Sequence, residues 1–332
     1  MCGEMLKIIK TGGNDMTQAK GFNAQFIMGV ETEFGELPAT AAGVKLPVNS
    51  AQIKSKQSFI ETDTITGNRS SAAPARGNID VAGTVVIPVD EEAIGYWLKA
   101  MFGNPTTTPP ATGQTVYTHS FTPGLEQASL VLEQGFPDIG VFELFNGCKI
   151  NKFALNLGGD AELTASIDVI GATEKIQNAS FCAAPVTVNW SRYSNFQASL
   201  QEGGAALATV TNASLNVEFG LGGDTYTIGG NGFRTAIPEG IIKVSGEIKA
   251  FFENKILLDK AINGAETSLA FKLTNGGNSL EFVLGEVVYE RNSPVIEGTK
   301  GIVIDLPYRA YYQNSVQGGI ITATLVNAKS AY

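Results

Sequence analysis

His119 is the only histidine in the 332 residues. Every Ser/His or Cys/His nucleophile pair, every two-histidine metal site and every imidazole proton shuttle would therefore have to pass through it. It sits in the alternating run Tyr117-Thr118-His119-Ser120-Phe121, which reads as a strand carrying the imidazole on its surface. Cys2, Cys148 and Cys182 are odd in number and far apart, so they offer neither a disulfide framework nor a metal-ligand spacing. No Gly-x-Ser-x-Gly elbow, His-Glu-x-x-His helix or Gly-Lys-Ser/Thr phosphate loop occurs. Carboxylates able to form a glycosidase-like pair are plentiful, but sequence does not say which approach each other. The stretch 220–232, with Gly222-Gly223-Asp224-Thr225-Tyr226 and Gly229-Gly230-Asn231-Gly232, looks like one copy of a calcium-binding β-roll repeat, and such rolls need several tandem copies. No helix follows to receive a phosphate at its N-terminus, so the stretch reads as a long flexible loop. These residues point to no enzyme, no cofactor and no metal.

The elements that would position them are mostly strands. Charged residues are only 17 % and hydrophobic ones 43 %, a composition that folds. An excess of 32 acidic over 23 basic residues gives −9, the wrong sign for gripping phosphates or anionic lipid. No apolar run approaches the ~18 residues that cross a bilayer, and Lys7-Ile8-Ile9-Lys10 is too little for a signal sequence. The expectation is a soluble chain made in the cytosol. Short alternating runs at 81–88, 129–134, 149–157, 162–170, 214–219, 241–252, 268–274, 279–284 and 301–306 carry the strand signature. Helical spacing predicts two helices. In one, Asp90 caps a segment bearing Ile94, Trp97, Leu98 and Met101 and ending at Gly103; the other spans 253–262 and ends at Asn263-Gly264.

The two helices occupy equivalent places in an internal repeat. Val81-Ala82-Gly83-Thr84-Val85 recurs 163 residues on (244 − 81) as Val244-Ser245-Gly246-Glu247-Ile248, and Ile65-Thr66-Gly67-Asn68 recurs at the same offset as Ile228-Gly229-Gly230-Asn231. Downstream, the spacing pairs 117–122 with 268–274, 129–134 with 279–284, and 162–170 with 301–308. The chain reads as a tandem duplication of a β-rich unit with one helix, joined around 174–190.

Several segments resemble the tail tube proteins of long-tailed bacteriophages. They are Gly29-Val30-Glu31-Thr32-Glu33-Phe34-Gly35-Glu36-Leu37-Pro38, the Gly-rich loop leading through an Arg to Val81-Ala82-Gly83-Thr84-Val85-Val86-Ile87-Pro88, the helix end Leu98-Lys99-Ala100-Met101-Phe102-Gly103, and Tyr289-Glu290-Arg291-Asn292-Ser293-Pro294 with Gly301-Ile302-Val303-Ile304. The similarity spans residues 17–328. It implies a mainly β fold of two tandem β-sandwich or half-barrel tube domains, at 16–175 and 190–332, each with a flanking helix. Residues 1–15 form a possible leader before a start at Met16. The resemblance further implies a structural virion protein made in the host cytoplasm, whose inner strands join neighbouring subunits into a lumen-lining barrel and whose loops stack rings. Expected partners are the chain itself, as trimeric pseudo-hexameric rings, together with tape-measure, tail-terminator and baseplate proteins. DNA would pass without specific binding, and no membrane would be entered. The competing readings are a tandem β-domain adhesin and a carbohydrate-active enzyme. Missing secretion signals count against the first, and a single histidine with no aromatic strip counts against the second.

Two residue sets follow from that reading. Gly67, Asn68, Arg69 and Arg76 in one loop, and Gly230, Asn231 and Arg234 in the other, are candidates for contacts between rings. Asp160, Glu162, Asp168, Glu281 and Glu286 are candidates for an acidic lumen wall, the alternative being solvated carboxylates of the outer face.

Overall fold

The computed structural model describes residues 18–296, 298–313 and 318–332; the expected leader and the start at Met16 lie outside them. In the first half run β1 (Gln25–Val30), β2 (Lys54–Ile60), β3 (Ala75–Pro88), α1 (Ile94–Phe102), β4 (Tyr117–Phe121), β5 (Leu130–Phe136), β6 (Val141–Gly158), β7 (Thr164–Gly171) and β8 (Thr173–Gln177). The second half continues with β9 (Ala198–Glu202), β10 (Val210–Glu218), β11 (Lys243–Phe251), α2 (Ile256–Asn263), β12 (Thr267–Asn275), β13 (Asn278–Tyr289), β14 (Val303–Tyr311) and β15 (Thr322–Asn327). The fold is mainly β, as the alternating runs require.

One long sheet has the order β2-β3-β7-β6-β10-β11-β14-β13, and every neighbouring pair is antiparallel. Four of its strands come from each half. A second layer is built as β1-β5-β6-β8 in the first half and β9-β12-β13-β15-β4 in the second. β6 and β13 thus serve both layers. Each changes partners beside a register shift, opposite Leu130/Leu132 in one case and Thr267/Leu269 in the other. Such bulges bend a strand and raise its twist, which lets one strand leave one layer for the next.

The matching bulges correct part of the expected correspondence. β5 and β6 of the first half match β12 and β13 of the second, whereas 117–122 becomes β4, which lies between β15 and residues 106–108 in the second layer. Period-two patterns in successive strands look alike, so the spacing slipped by one strand. The expected match of 162–170 with 301–308 does hold. Val169 faces Gly83 and Tyr308 faces Gly246, an offset of 139 residues (308 − 169).

The core lies between the layers. Along β7, Ala165, Ile167 and Val169 are buried while Ser166 and Asp168 point to the opposite face. Ring contacts cross the layers, with Phe153 of β6 at 5.7 Å from Phe282 of β13 and Phe271 of β12 at 6.2 Å from Tyr308 of β14. α1 buries Ile94, Trp97, Leu98 and Met101, and Trp97 stacks on Phe26 of β1 at 5.9 Å. Each such side chain contributes about 1.5–3 kcal/mol through burial. The cap is as expected: Asp90 Oδ1 accepts the N–H groups of Glu92, Ala93 and Ile94 at 2.8, 2.5 and 3.3 Å, and Gly103 leaves the helix at φ 94°. α2 starts three residues later than expected, at Ile256, and ends at Gly264 with φ 60°.

Candidate assembly surface

The groups that could do chemistry are spent on structure. His119 is fully buried, not on a strand surface as its alternating run suggested. Its Nε2 donates to the Lys329 carbonyl and its Nδ1 accepts from the Thr107 hydroxyl, both at 2.9 Å, and burial lowers its pKa. A neutral imidazole with both nitrogens bound shuttles no proton. Burial pushes the Cys148 thiol well above its ordinary range, and Cys182 is buried as well. Among the described residues no group of three or more His, Cys, Asp or Glu side chains gathers as a metal site.

What the fold does present is the outward face of the long sheet, with an open groove of about 1150 Å³ lined by Ser214, Asn216, Ser245, Glu247, Pro307 and Arg309 among others. Its charges alternate in sign. Asp168 faces Lys152 across β7 and β6 and accepts the Thr84 hydroxyl at 2.6 Å. Lys152 lies 3.6 Å from Glu218, Lys249 3.2 Å from Asp305, and Arg309 2.6 Å from Glu290. Lys54 and Lys56 continue the row on β2, with Lys56 facing Asp80.

The two Gly-rich loops differ. The loop 61–74 between β2 and β3 is exposed almost throughout; Gly67 has φ 77° with open space around it, and Asn68 Oδ1 accepts the Ser70 N–H at 2.7 Å. Its counterpart after β10 is not the flexible segment its composition suggested. It lies on the first half, where the Ile79 N–H donates to Gly232 O at 2.8 Å. Arg234, 9 % exposed, donates to Val81 O at 3.2 Å, to Gly171 O at 2.9 Å, to Gly223 O and to the Asp80 carboxylate. Its guanidinium also stands over the Tyr226 ring at 5.3 Å.

The ends of the long sheet are open. On its outer side β2 has no strand partner among the described residues, and beyond Tyr289 the chain runs on as 290–296, where the Glu290 N–H still donates to Pro307 O of β14 at 2.8 Å but no described strand lies on the side away from β14. Exposed apolar side chains mark both ends: Phe59 at 68 % and Ile60 at 53 % on β2, Val295 at 62 % and Ile296 at 81 % on the other. A family model described as phage tail tube protein matches residues 21–310. The chain belongs to the phage tail tube family. No curated protein shows significant similarity to it. Membership makes this a structural tail protein whose family self-associates into a tube, and no described helix is long and apolar enough to cross a membrane.

Within this tube-family fold, only Asp168 of the five lumen candidates lies on the outward face of the long sheet. Glu281 belongs to the part of β13 in the second layer, 3.6 Å from Lys272. Glu286 is buried where β13 changes layer and accepts the Gln313 N–H. Asp160 sits in the exposed turn after β6, and Glu162 is held at the sheet's rim by Arg192 at 2.9 Å and Asn49 at 2.8 Å. The outward face of the long sheet is therefore mixed in sign. Lys152, Glu218, Glu247, Lys249, Asp305 and Arg309 went unnoticed in the sequence, although their places in the alternation mark them as outward once the strand order is known. Of the loop candidates, Gly67, Asn68, Arg69 and Arg76 are exposed, whereas Arg234 is consumed inside the chain and Gly230 and Asn231 belong to its docked loop.

Proposed function

We propose that copies of this chain join edge to edge into rings, and that the rings stack as a phage tail tube through which the genome leaves. One observation carries the reading. The long sheet is antiparallel throughout, takes four strands from each half, leaves the outer side of β2 without a described partner, and at its far end passes from Tyr289 into 290–296, which pairs with no further strand among the described residues. An open edge is a template for another strand, and closure into a barrel is the arrangement that abolishes it. The like strand order of the halves supports two tube domains per chain and three chains per pseudo-sixfold ring. Three copies supply about 24 strands, which at ~4.8 Å spacing give a backbone diameter of roughly 37 Å before tilt.

The outward face of the long sheet then lines the lumen, with Asp168 among its acids. Acids and bases alternate along the wall, with Glu218, Asp305 and Glu290 paired to Lys152, Lys249 and Arg309, so passing DNA meets no continuous row of cations against which to release counterions. The duplex slides without specific binding. The exposed loop with Gly67, Asn68, Arg69 and Arg76 is the element that reaches a neighbouring ring. Tape-measure, tail-terminator and baseplate proteins are the remaining partners. The chain is made in the host cytoplasm, ends in the virion and catalyses nothing. Electron microscopy of the purified protein tests this: hollow filaments with three chains per ring are expected. Six complete chains per ring would overturn the pseudo-sixfold arrangement, and a persistent monomer at high concentration would overturn the assembly reading.

A further inference from the structure

We propose that the seam between copies pairs β2 of one copy with residues 290–296 of the next, and that Gln134 and Pro294 set its register. The inference rests on the edge-to-edge reading above and adds the surfaces and their fit. Inside one chain the halves already meet through such a seam, where 212–218 of β10 face 158–152 of β6. Gly246 faces Leu215, and the ladder that sets Ala51 opposite Val85 and Lys54 opposite Ala82 sets Ile53 opposite Gly83. Residues 50–56 of the first half therefore stand where 212–218 stand in the second. Ile150 faces Val169 and Tyr289 faces Tyr308, so the same offset of 139 residues (289 − 150) carries the other side of the seam, 151–157, onto 290–296. Both members of the internal seam thus have counterparts, and these counterparts form the two open ends of the long sheet. Strand direction agrees as well. Eight alternating strands end in opposite polarity, so β2 of a second copy meets 290–296 antiparallel, as β10 meets β6.

The register follows from two departures at one position. In the internal seam Leu215 faces Leu155; their counterparts are Ile53 and Pro294. The Ile53 peptide groups are already engaged, its N–H donating to Gln134 Oε1 at 3.2 Å and its carbonyl accepting from Gln134 Nε2 at 3.0 Å. Pro294 brings no N–H to pair. The occupied position on the receiving edge thus meets the residue that cannot donate. A slip of two residues would set Pro294 against an open carbonyl and an ordinary peptide against the engaged Ile53, leaving polar groups unpaired. A slip of one would turn every side chain to the wrong face. The matched register pairs Lys54 with Ser293 and Ser55 with Asn292.

Cysteines report this register. The Gln52 N–H donates to Thr84 O at 3.0 Å, so that of Lys54 also points to β3, and Lys54/Ser293 is a non-hydrogen-bonded pair with Cα atoms about 4.5 Å apart. That separation suits a disulfide. The two sites lie seven strand spacings apart within one chain, roughly 34 Å at ~4.8 Å each, so a bond between them links different copies only; with Cys2 replaced by Ser in every variant, the native cysteines left, Cys148 and Cys182, are buried. Mild oxidation of the Lys54→Cys/Ser293→Cys protein after assembly should convert most chains to disulfide-linked oligomers on a denaturing, non-reducing gel. The Lys56→Cys/Ser293→Cys protein, displaced by two residues, should stay largely unlinked. Adding Gln134→Ala to that second protein frees Ile53 and should raise its cross-linking several-fold. Tubes that form without the 54–293 link, or that link 56–293 equally well, overturn the seam while the assembly reading stands. An unchanged 56–293 yield with Gln134→Ala overturns the role of Gln134. Absence of any tube, seen by microscopy of the uncross-linked protein, overturns the assembly reading itself.

Discussion

Gly83 and Gly246 meet the same obstacle in the two halves: a Cβ on Gly83 would stand 2.2 Å from the Gln52 carbonyl oxygen, and one on Gly246 2.0 Å from that of Ser214. Gln52 and Ser214 are themselves counterparts. At both places a neighbouring strand crosses where only a bare Cα leaves room, and the obstacle is backbone in a paired sheet, which cannot swing aside. Gly83→Ala and Gly246→Ala should each lower stability by about 1–3 kcal/mol or more. Urea unfolding checks this, and a wild-type midpoint for either variant would refute the close approach.

Asp90 should make stability depend on pH with an inverted sign. Its carboxylate is fully buried, Oδ2 has no hydrogen-bond partner, and burial pushes its pKa from 3.8 to about 6 despite the three N–H groups that hold Oδ1. A folded-state value above the unfolded one means the native state holds the proton more tightly. The resulting stability is complete below about pH 4 and is lost as pH rises through 6, amounting to about 3 kcal/mol. Asp90→Asn keeps an acceptor for the cap and removes the ionisation. The wild type should therefore lose stability relative to Asp90→Asn between pH 4 and 7, and a parallel pH profile for the two proteins would show that the buried carboxyl carries no such penalty.

Arg234 should behave as a clamp between the halves. Removing it leaves the Val81 and Gly171 carbonyls short of a charged donor in a buried site, a loss of roughly 2–4 kcal/mol. A lysine cannot reach several acceptors at once from a planar fork. Both Arg234→Ala and Arg234→Lys should expose the loop 222–240 to faster hydrogen exchange, and unchanged protection there would argue against the clamp.

Limited proteolysis should distinguish the two loops. In the free chain, cleavage is expected within 61–74 and not within 222–240, because only the second has its backbone and its arginine engaged. Assembled tubes should lose the first cleavage. Equal cutting of 61–74 in both states would show that the loop makes no contact between copies.

The sequence by itself determined the β class, the place of both helices and the repeat of the strand that precedes each helix. Those features are local: alternation marks a strand, Asp90 and Gly103 bracket a helix, and Val-x-Gly recurs at a fixed spacing, although only the structure shows what Gly83 and Gly246 meet. It also carried the family resemblance. Tertiary structure alone decided which strand lies beside which, and with it the fate of individual side chains. Glu281 and Glu286 share one strand, yet one faces solvent on the second layer and the other is buried, because β13 changes layer between them. His119 alternates like a surface residue, but β15 and the chain after it cover its strand. Arg234 reads as a loop arginine until the fold brings Val81, Gly171 and Asp80 to it from the other half. A period of two tells which residues share a face; what covers that face is set by contacts over a hundred residues away, which no local pattern encodes.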